Sequence, residues 1–257
     1  MSFLGHWIAF STLVRREIKR FMRIWVQTLL PSLITMGLYF LIFGTLMGTR
    51  IGRVQQIPYL HYIAPGLIMM AVINNAYANV SFSIFSMRFQ KSIEELLIAP
   101  IPNHLLLLAF MCGGIARGLL VGVLVSLLAL CFGMIALHSI FVLLAIVPLT
   151  TILFSLAGFT NGLFAKTFDD VTVIPSFVLT PLTYLGGVFY SIQLLPPILK
   201  TLSLCNPILY IVNAFRYALL GVTDVAVGPA LSVITLCCIS LFTYNLYLLN
   251  HGKGLKI

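Results

Sequence analysis

The stretch CNPILYIVNAFRYALLG, residues 205–221, is strongly apolar but is interrupted near its start by Asn206 and Pro207. It and the apolar stretch before it, residues 191–205, each have about 15 residues, too few to cross a hydrocarbon core of about 30 Å as a helix. Two short helices that turn back at Asn206 and Pro207 would satisfy their own backbone hydrogen bonds inside a membrane. We therefore predict a re-entrant helical hairpin over about residues 191–221.

The composition places this hairpin in a membrane protein. Of 257 residues, 60% are hydrophobic and 8% are charged, with a mean hydropathy of +1.08. A water-soluble domain of this balance would have too few charged residues to cover its surface. The alternating segments of about 10 residues that build a membrane β-barrel are missing from the sequence. The prediction is an all-α integral membrane protein.

Apolar segments of about 20 residues recur along the chain, and each is long enough to span the membrane as a helix. We predict six transmembrane helices, with the re-entrant hairpin between the fifth and the sixth, so that both termini lie on one side. The predicted spans are residues 26–47, 63–85, 105–131, 141–164, 171–190 and 229–249.

Basic residues near the span ends assign the orientation, because the cytoplasmic side carries the excess of lysine and arginine. They precede the first span and follow the second, fourth and sixth, where Lys253 and Lys256 lie. Both termini are therefore expected in the cytoplasm. The formal net charge of +9 then reflects topology and attraction to anionic lipid headgroups, and it does not indicate nucleic-acid binding.

Residues 1–25 are predicted to form a separate cytoplasmic amphipathic helix at the membrane interface. A plain lipid anchor and an additional contact with a cytoplasmic partner are both open. At 100° per residue the apolar stripe comprises Phe3, Trp7, Phe10, Val14, Ile18, Phe21 and Trp25, and the opposite face carries Arg15, Arg16, Lys19, Arg20 and Arg23.

The connection SMRFQKSIEELLIAPIPNH, residues 86–104, predicts a short amphipathic surface helix over about residues 88–100. Ser92 and Glu95 have the spacing of a capping box, Pro100 and Pro102 end the helix, and Asn103 is placed to cap the next one. Glu94 and Glu95 either balance nearby basic charge or face another protein. In the connection AKTFDDV, Asp169 or Asp170 is expected to cap the fifth span.

Polar residues inside the spans form two ridges. Asn75, Asn79 and Ser83 are spaced four apart in span two, and Gly114, Gly118, Gly122 and Ser126 repeat at the same interval in span three. Small-xxx-small spacing lets helix backbones approach closely, so helix packing is the first interpretation of both ridges and a substrate path is the second.

Arg117 lies about a dozen residues into span three, where a charge is costly unless it contacts water, a carboxylate or backbone carbonyls. No acidic residue lies inside any predicted span. Arg117 either reaches toward a headgroup or lines a cavity for an anionic lipid-like or glycan substrate.

The motifs of several enzymes are missing from the sequence. It has no G-x-x-x-x-G-K-[ST] loop, G-x-S-x-G elbow, H-E-x-x-H pair or C-x-x-C spacing, so we predict no catalytic residue and no metal site. Two competing functions are an intramembrane lipid-acting enzyme that uses Arg117 to hold phosphate, and an ATP-independent carrier. The first needs an intramembrane nucleophile or acid–base pair, and proton coupling in the second normally needs an intramembrane acid or histidine.

The late segments carry a family resemblance. The spaced residues are Leu179, Leu182, Leu185, Gly186, Val188, Leu195, Pro196, Pro207, Ile208, Tyr210 and Arg216. Their pattern resembles the signature of ABC-2 type permeases, the membrane subunits of ATP-binding cassette exporters. The stretches GLIMMAVINNAYANVSFS, FAKTFDD and LTPLTYLGGVFYS further resemble the YadH-like bacterial inner-membrane branch. The resemblance covers essentially the full length.

This resemblance implies a transmembrane domain over residues 26–257 in the bacterial inner membrane, present as a homodimer among membrane lipids. Two copies of a cytoplasmic ATPase would bind ATP and Mg, and closure of the ATPases would shift the permeases from inward-open toward outward-open to export a drug-like, lipid or glycan substrate.

The resemblance also implies roles for individual residues. The expected ATPase-coupling residues are Phe89, Lys91, Ile93, Glu94, Glu95, Leu97, Asp169 and Asp170, and the expected outer gate comprises Pro196, Pro207, Tyr210 and Arg216. The candidate pathway residues are Asn75, Asn79 and Arg117.

Overall fold

The computed structural model describes residues 3–99, 101–133, 136–252 and 254 and is mainly helical there. Pro100, Lys253 and Lys256 lie outside the described residues, as does the side chain of Leu97, so the expectations for them stay predictions. The helices are α1 (Phe3–Arg23), α2 (Trp25–Thr28), α3 (Leu30–Leu41), α4 (Gly48–Ile51), α5 (Tyr59–Phe89), α6 (Ser92–Ile98), α7 (Asn103–Cys131), α8 (Ile140–Phe164), α9 (Phe168–Ile174), α10 (Thr180–Leu185), α11 (Pro197–Leu204), α12 (Pro207–Leu220) and α13 (Val227–Asn250). A two-stranded antiparallel hairpin, β1 (Arg53–Val54) and β2 (Ile57–Pro58), precedes α5.

Five helices are long and apolar enough to cross a membrane, and they coincide with the predicted first, second, third, fourth and sixth spans. The multi-pass, mainly helical class is confirmed. The ranges are Trp25–Gly44, Tyr59–Phe89, Asn103–Cys131, Ile140–Phe164 and Val227–Asn250.

The predicted fifth span, residues 171–190, is not among these five candidates. The helical path runs only from residue 168 to residue 185 and contains a π-helical turn, Pro175–Leu179. Pro175 and Pro181 remove backbone donors, which favours such a distortion. Gly187, with φ of +71°, follows the end of the helix, so residues 186–190 form turns where the sequence had predicted continued helix.

Helix α5 is the centre of the bundle: 83% of its apolar window is buried, against 17–39% in the other four candidate spans. It packs mainly against α7 and α8, and the glycine ridge of α7 is the reason that the backbones approach closely. A Cβ on Gly118 would lie 2.9 Å from Thr151 Cγ2 and 3.1 Å from Ala76 Cβ. The packing interpretation of this ridge is confirmed.

The predicted re-entrant segment, residues 191–221, contains two helices, α11 and α12, with a break at Asn206 as predicted. Asn206 Oδ1 accepts a hydrogen bond from the backbone N of Ile208 at 3.0 Å, and Pro207 occupies the first helical position. The two helices meet at 84°, near a right angle, so they do not run back antiparallel. Helix α12 is mostly buried in the bundle, whereas α11 exposes apolar side chains such as Ile198.

The predicted helix caps differ from the observed ones. Lys91, with φ of +58°, is the N-cap of α6, and Ser92 Oγ donates instead to the carbonyl of Met87, so the predicted Ser92 and Glu95 box is wrong. Asn103 donates to Asn250 Oδ1 and does not cap α7. A capping box does form at α9, where Thr167 is the N-cap and Asp170 is its third-position partner.

Candidate functional site

The three polar residues of α5 meet charged residues of other helices, and together they form what we call the polar ladder: Asn75, Asn79 and Ser83 with Arg117, Glu17 and Arg20. Its first part joins Asn75 to Arg117, whose Nε and Nη2 donate to Asn75 Oδ1 at 3.2 and 3.0 Å. Arg117 Nη2 also donates to the carbonyl of Thr28, where α2 ends. The Thr28 carbonyl and the Asn75 side-chain amide thus accept hydrogen bonds from the Arg117 guanidinium, for which the sequence offered no acidic partner inside a span.

Asn75 also reaches the first span. Its Nδ2 donates to Ser32 Oγ at 2.9 Å, so Asn75 connects Arg117 of α7 to α3. The structure therefore brings two of the three predicted pathway residues together. Their contacts here are hydrogen bonds between helices, and lining of a pathway stays a prediction.

The second part of the ladder lies where α1 crosses α5 and α7. Arg20 Nη2 donates to the Asn79 carbonyl at 2.8 Å, to Asn79 Oδ1 at 3.0 Å and to Glu17 Oε2 at 3.1 Å. Ser83 Oγ donates to the same Glu17 oxygen at 2.7 Å. The third predicted pathway residue, Asn79, is therefore bound by α1 and not by Arg117.

Glu17 is one of the residues that sequence reasoning missed. It is 2% exposed and lies against α7, where a Cβ on Gly113 would come within 2.8 Å of Glu17 Cβ. A signal existed: Leu13, Glu17 and Phe21 are spaced four apart, and all three are buried. The side of α1 that packs against the rest of the protein is thus rotated relative to the predicted apolar stripe, in which Trp7 and Trp25 are exposed.

The predicted coupling surface lies at the other end of α5 from the β-hairpin. Ile93 of α6 is buried, while Lys91, Glu94 and Glu95 are exposed. The two carboxylates occupy the first turn of α6, where the helix dipole favours negative charge. The short helix therefore presents an acidic outer face and anchors itself with an apolar inner face.

An aromatic cluster joins the entry of α6 to the start of α9. The ring centroids of Phe85 and Phe89 are 5.9 Å apart, and Phe168 lies 4.8 Å from the first ring and 5.2 Å from the second. Buried Arg88 adds a link to the end of α8, since its Nη1 donates to the carbonyls of Gly162 and Ala165 at 3.0 and 2.9 Å. Sequence reasoning counted Arg88 only as an orientation signal.

The two acids at the start of α9 have different surroundings. Asp169 is exposed, whereas Asp170 Oδ2 accepts hydrogen bonds from the backbone N of Lys166 and Thr167. These donors hold the pKa of the Asp170 carboxyl below its ordinary value. Asp169 is therefore available for an external contact, and Asp170 is engaged in the cap.

Arg216 lies at the opposite end of the bundle and is fully buried. Its Nε donates to the Tyr62 carbonyl at 3.2 Å, its Nη2 donates to the Gly187 carbonyl at 2.7 Å, and the guanidinium carbon lies 4.0 Å from the centre of the Tyr62 ring. It does not reach a surface. Of the other predicted gate residues, Pro196 is exposed before α11, and Tyr210 donates to the Leu204 carbonyl across the bend.

Asp224, between α12 and α13, connects the loops at this end. Its carboxylate accepts hydrogen bonds from Gln55 Nε2 at 2.8 Å, Ser191 Oγ at 2.7 Å and the Ile192 backbone N at 3.2 Å. Tyr62 also approaches it at 3.4 Å. Sequence reasoning missed both Asp224 and Tyr62, because their partners lie more than 30 positions away in the chain.

The fold and site describe a membrane-embedded helical bundle with a bent helix pair and an exposed acidic surface helix, and comparison with known families agrees with this architecture. The family model described as ABC-2 type transporter matches residues 8–220, so the chain belongs to that family and is a transport permease subunit.

Individual relatives narrow the similarity within the family. Over 252 residues, 98% of either chain, the sequence is 52% identical to the inner membrane transport permease YadH of Escherichia coli K12 and, to the same extent, to that of Shigella flexneri. It is 24% identical to nodulation protein J of Sinorhizobium fredii over 201 residues, 78% of this chain and 76% of the relative. The resemblance inferred from the late broken segment is confirmed.

Proposed function

We propose that this permease subunit forms a homodimer with a second copy of itself in the bacterial inner membrane, with cytoplasmic termini, and exports its substrate when two cytoplasmic ATPase subunits hydrolyse ATP. ATP and Mg²⁺ are bound by those partners. The observation that carries the proposal is the acidic outer face of α6, held beside the start of α9. Membership in a transporter family without a nucleotide-binding motif in this chain supports a separate ATPase.

The contacts of α6 suggest how a movement of the ATPase subunits would be transmitted to the helices of the permease. Movement of α6 is transmitted to the central helix α5, because α6 follows α5 after two residues and anchors Ile93 in the bundle. Arg88 and the cluster of Phe85, Phe89 and Phe168 couple the same movement to α8 and α9. One contact with an ATPase would thus tilt several helices together.

An apolar cavity supports a substrate with a hydrophobic part, such as a lipid, a lipid-linked glycan or an apolar drug-like molecule. The cavity of about 430 Å³ opens between α5, α7, α8 and α12 and is lined by residues that include Ile68, Leu119, Leu144 and Phe215. A pocket of this size accommodates part of an acyl chain or a small apolar ring system.

The coupling is tested by co-purification with the P-loop ATPase of the same transport system. We expect the Glu94→Lys and Glu95→Lys double variant to lose at least tenfold of the bound ATPase, because two attractive charges become repulsive at the contact. The control introduces the same two lysines elsewhere, through Gln193→Lys and Thr201→Lys, both exposed in the segment around α11, and changes the net charge by +2 where the first variant changes it by +4. Unchanged ATPase binding by the first variant would exclude the acidic face of α6 as the coupling site.

A further inference from the structure

A basic pocket lies between α1 and the end of α5 that faces α6. It has a volume of about 550 Å³. Its lining comprises Arg16, Lys19, Arg20, Arg23, Ser83, Ser86, Met87, Gln90 and Ser92. Four cations with hydroxyl and amide groups between them form a lining suited to an anion.

The charges of this basic pocket are only partly compensated. Glu17 forms ion pairs with Arg20 at 3.1 Å and with Arg16 at 3.6 Å, so these three residues together keep one positive charge. Within the described part of the chain, Lys19 and Arg23 have no carboxylate within ion-pair distance. The pocket therefore has a net charge of about +3, which attracts anions.

A buried donor points to the same conclusion. Arg20 uses Nη2 for its contacts with Glu17 and Asn79, and its Nε is buried without a hydrogen-bond partner in the described structure. Buried donors normally have a partner, either in the protein or in a bound molecule. A ligand oxygen in the pocket would supply it.

We propose that this basic pocket binds a phosphate group, and that its source is the headgroup of an anionic phospholipid. The apolar side chains beside it favour a lipid over a free ion, because Met22, just before Arg23, and Ile24 and Trp25, just after it, are exposed. A lipid with its phosphate in the pocket can lay its chains along these residues and α3. Lipid binding at this pocket needs no ATPase partner, so it is tested independently of the proposed export function.

The two tryptophans of the chain provide the assay. A Trp7→Phe background leaves the exposed Trp25 as the only indole, close in sequence to Arg23. Its fluorescence quenching by brominated phosphatidylglycerol is compared with that by brominated phosphatidylcholine in mixed bilayers, which measures the relative affinity for the anionic lipid beside the pocket.

The test variant is Lys19→Gln with Arg23→Gln, and the control is Arg15→Gln with Lys166→Gln, which removes the same charge from exposed positions outside the pocket. Each basic side chain near an anionic lipid contributes roughly fivefold in affinity, so the test variant is expected to reduce the selectivity for phosphatidylglycerol by up to about 25-fold. The control is expected to stay within about twofold of the Trp7→Phe parent.

Two results would overturn the proposal. The first is equal quenching by the two lipids in the parent protein, or an equal loss of selectivity in both double variants, which would reduce the effect to general surface charge. The second is saturable binding of inorganic phosphate in detergent that the test variant abolishes while its selectivity for phosphatidylglycerol in bilayers stays that of the parent, which would assign the pocket to a free phosphate and reject the lipid as its source.

Discussion

Replacing Arg216 with methionine is the sharpest test of the packing at the β-hairpin end. The side chain is fully buried and holds the Tyr62 and Gly187 carbonyls with two of its nitrogens. Methionine keeps most of the apolar stem but leaves both carbonyls without a charged donor. The segment after α10 is then no longer tied to α5 through α12.

The expected magnitude follows from the three contacts. Two charge-assisted hydrogen bonds contribute about 1.5 to 3 kcal/mol each, and the contact with the Tyr62 ring contributes about 2 kcal/mol. Removing the buried guanidinium also removes its desolvation penalty of several kcal/mol, which offsets part of this loss. The net loss in the free energy of unfolding is therefore about 2 to 4 kcal/mol, and Arg216→Lys should lose about half as much because one ammonium cannot reach both carbonyls.

The assay is thermal unfolding of purified protein in one detergent, together with a denaturant titration that yields the free energy. Arg53→Met serves as the control, because Arg53 is exposed in β1 at the same end of the bundle. If Arg216→Met unfolds within about 0.5 kcal/mol of the control, the assignment of Arg216 as an internal tie between three segments is wrong.

Two further predictions concern the packing of the bundle. Glu17→Gln removes the buried carboxylate that pairs with half-buried Arg20 and should lower the free energy of unfolding by about 1 to 2 kcal/mol, measured by denaturant titration, with little salt dependence because the pair is partly shielded from solvent. A loss that disappears in high salt would contradict this burial. Gly158→Val places a side chain against the Tyr77 carbonyl and should cost about 3 kcal/mol in the same titration, whereas Gly228→Val, with no neighbour within 4 Å, should cost less than about 1 kcal/mol. Equal losses would mean that α5 and α8 are not in close contact at this point.

Sequence reasoning predicted features with a local cause. Apolar runs of spanning length identified five of the predicted spans, because the length needed to cross a membrane is a property of each segment alone. The break at Asn206 and Pro207 also has a local cause, because these two residues themselves interrupt the apolar stretch. The fifth span was predicted to extend too far. The π-helical turn and the positive φ of Gly187 end the helix early, and the residue types permit this backbone geometry without requiring it.

The candidate site was predicted in part. Asn75, Asn79 and Arg117 were identified because polar residues in an apolar span are conspicuous, and two of them do meet. Glu17 was missed because the basic residues around it suggested a face in water. Its helical spacing with Leu13 and Phe21 was a local signal, but the burial itself depends on the crossing of α1 over Gly113, which only the tertiary structure shows.

By itself the sequence determined that this is a multi-pass helical membrane protein, where most of its spans lie and which transporter family it belongs to. These properties follow from apolar length, proline and asparagine positions, and spaced signature residues. Tertiary structure alone decided which charges are internal: Glu17 meets Ser83 across 66 positions and Arg216 meets Tyr62 across 154. A buried charge is stable only beside its partners, and those partners come together only when the bundle packs.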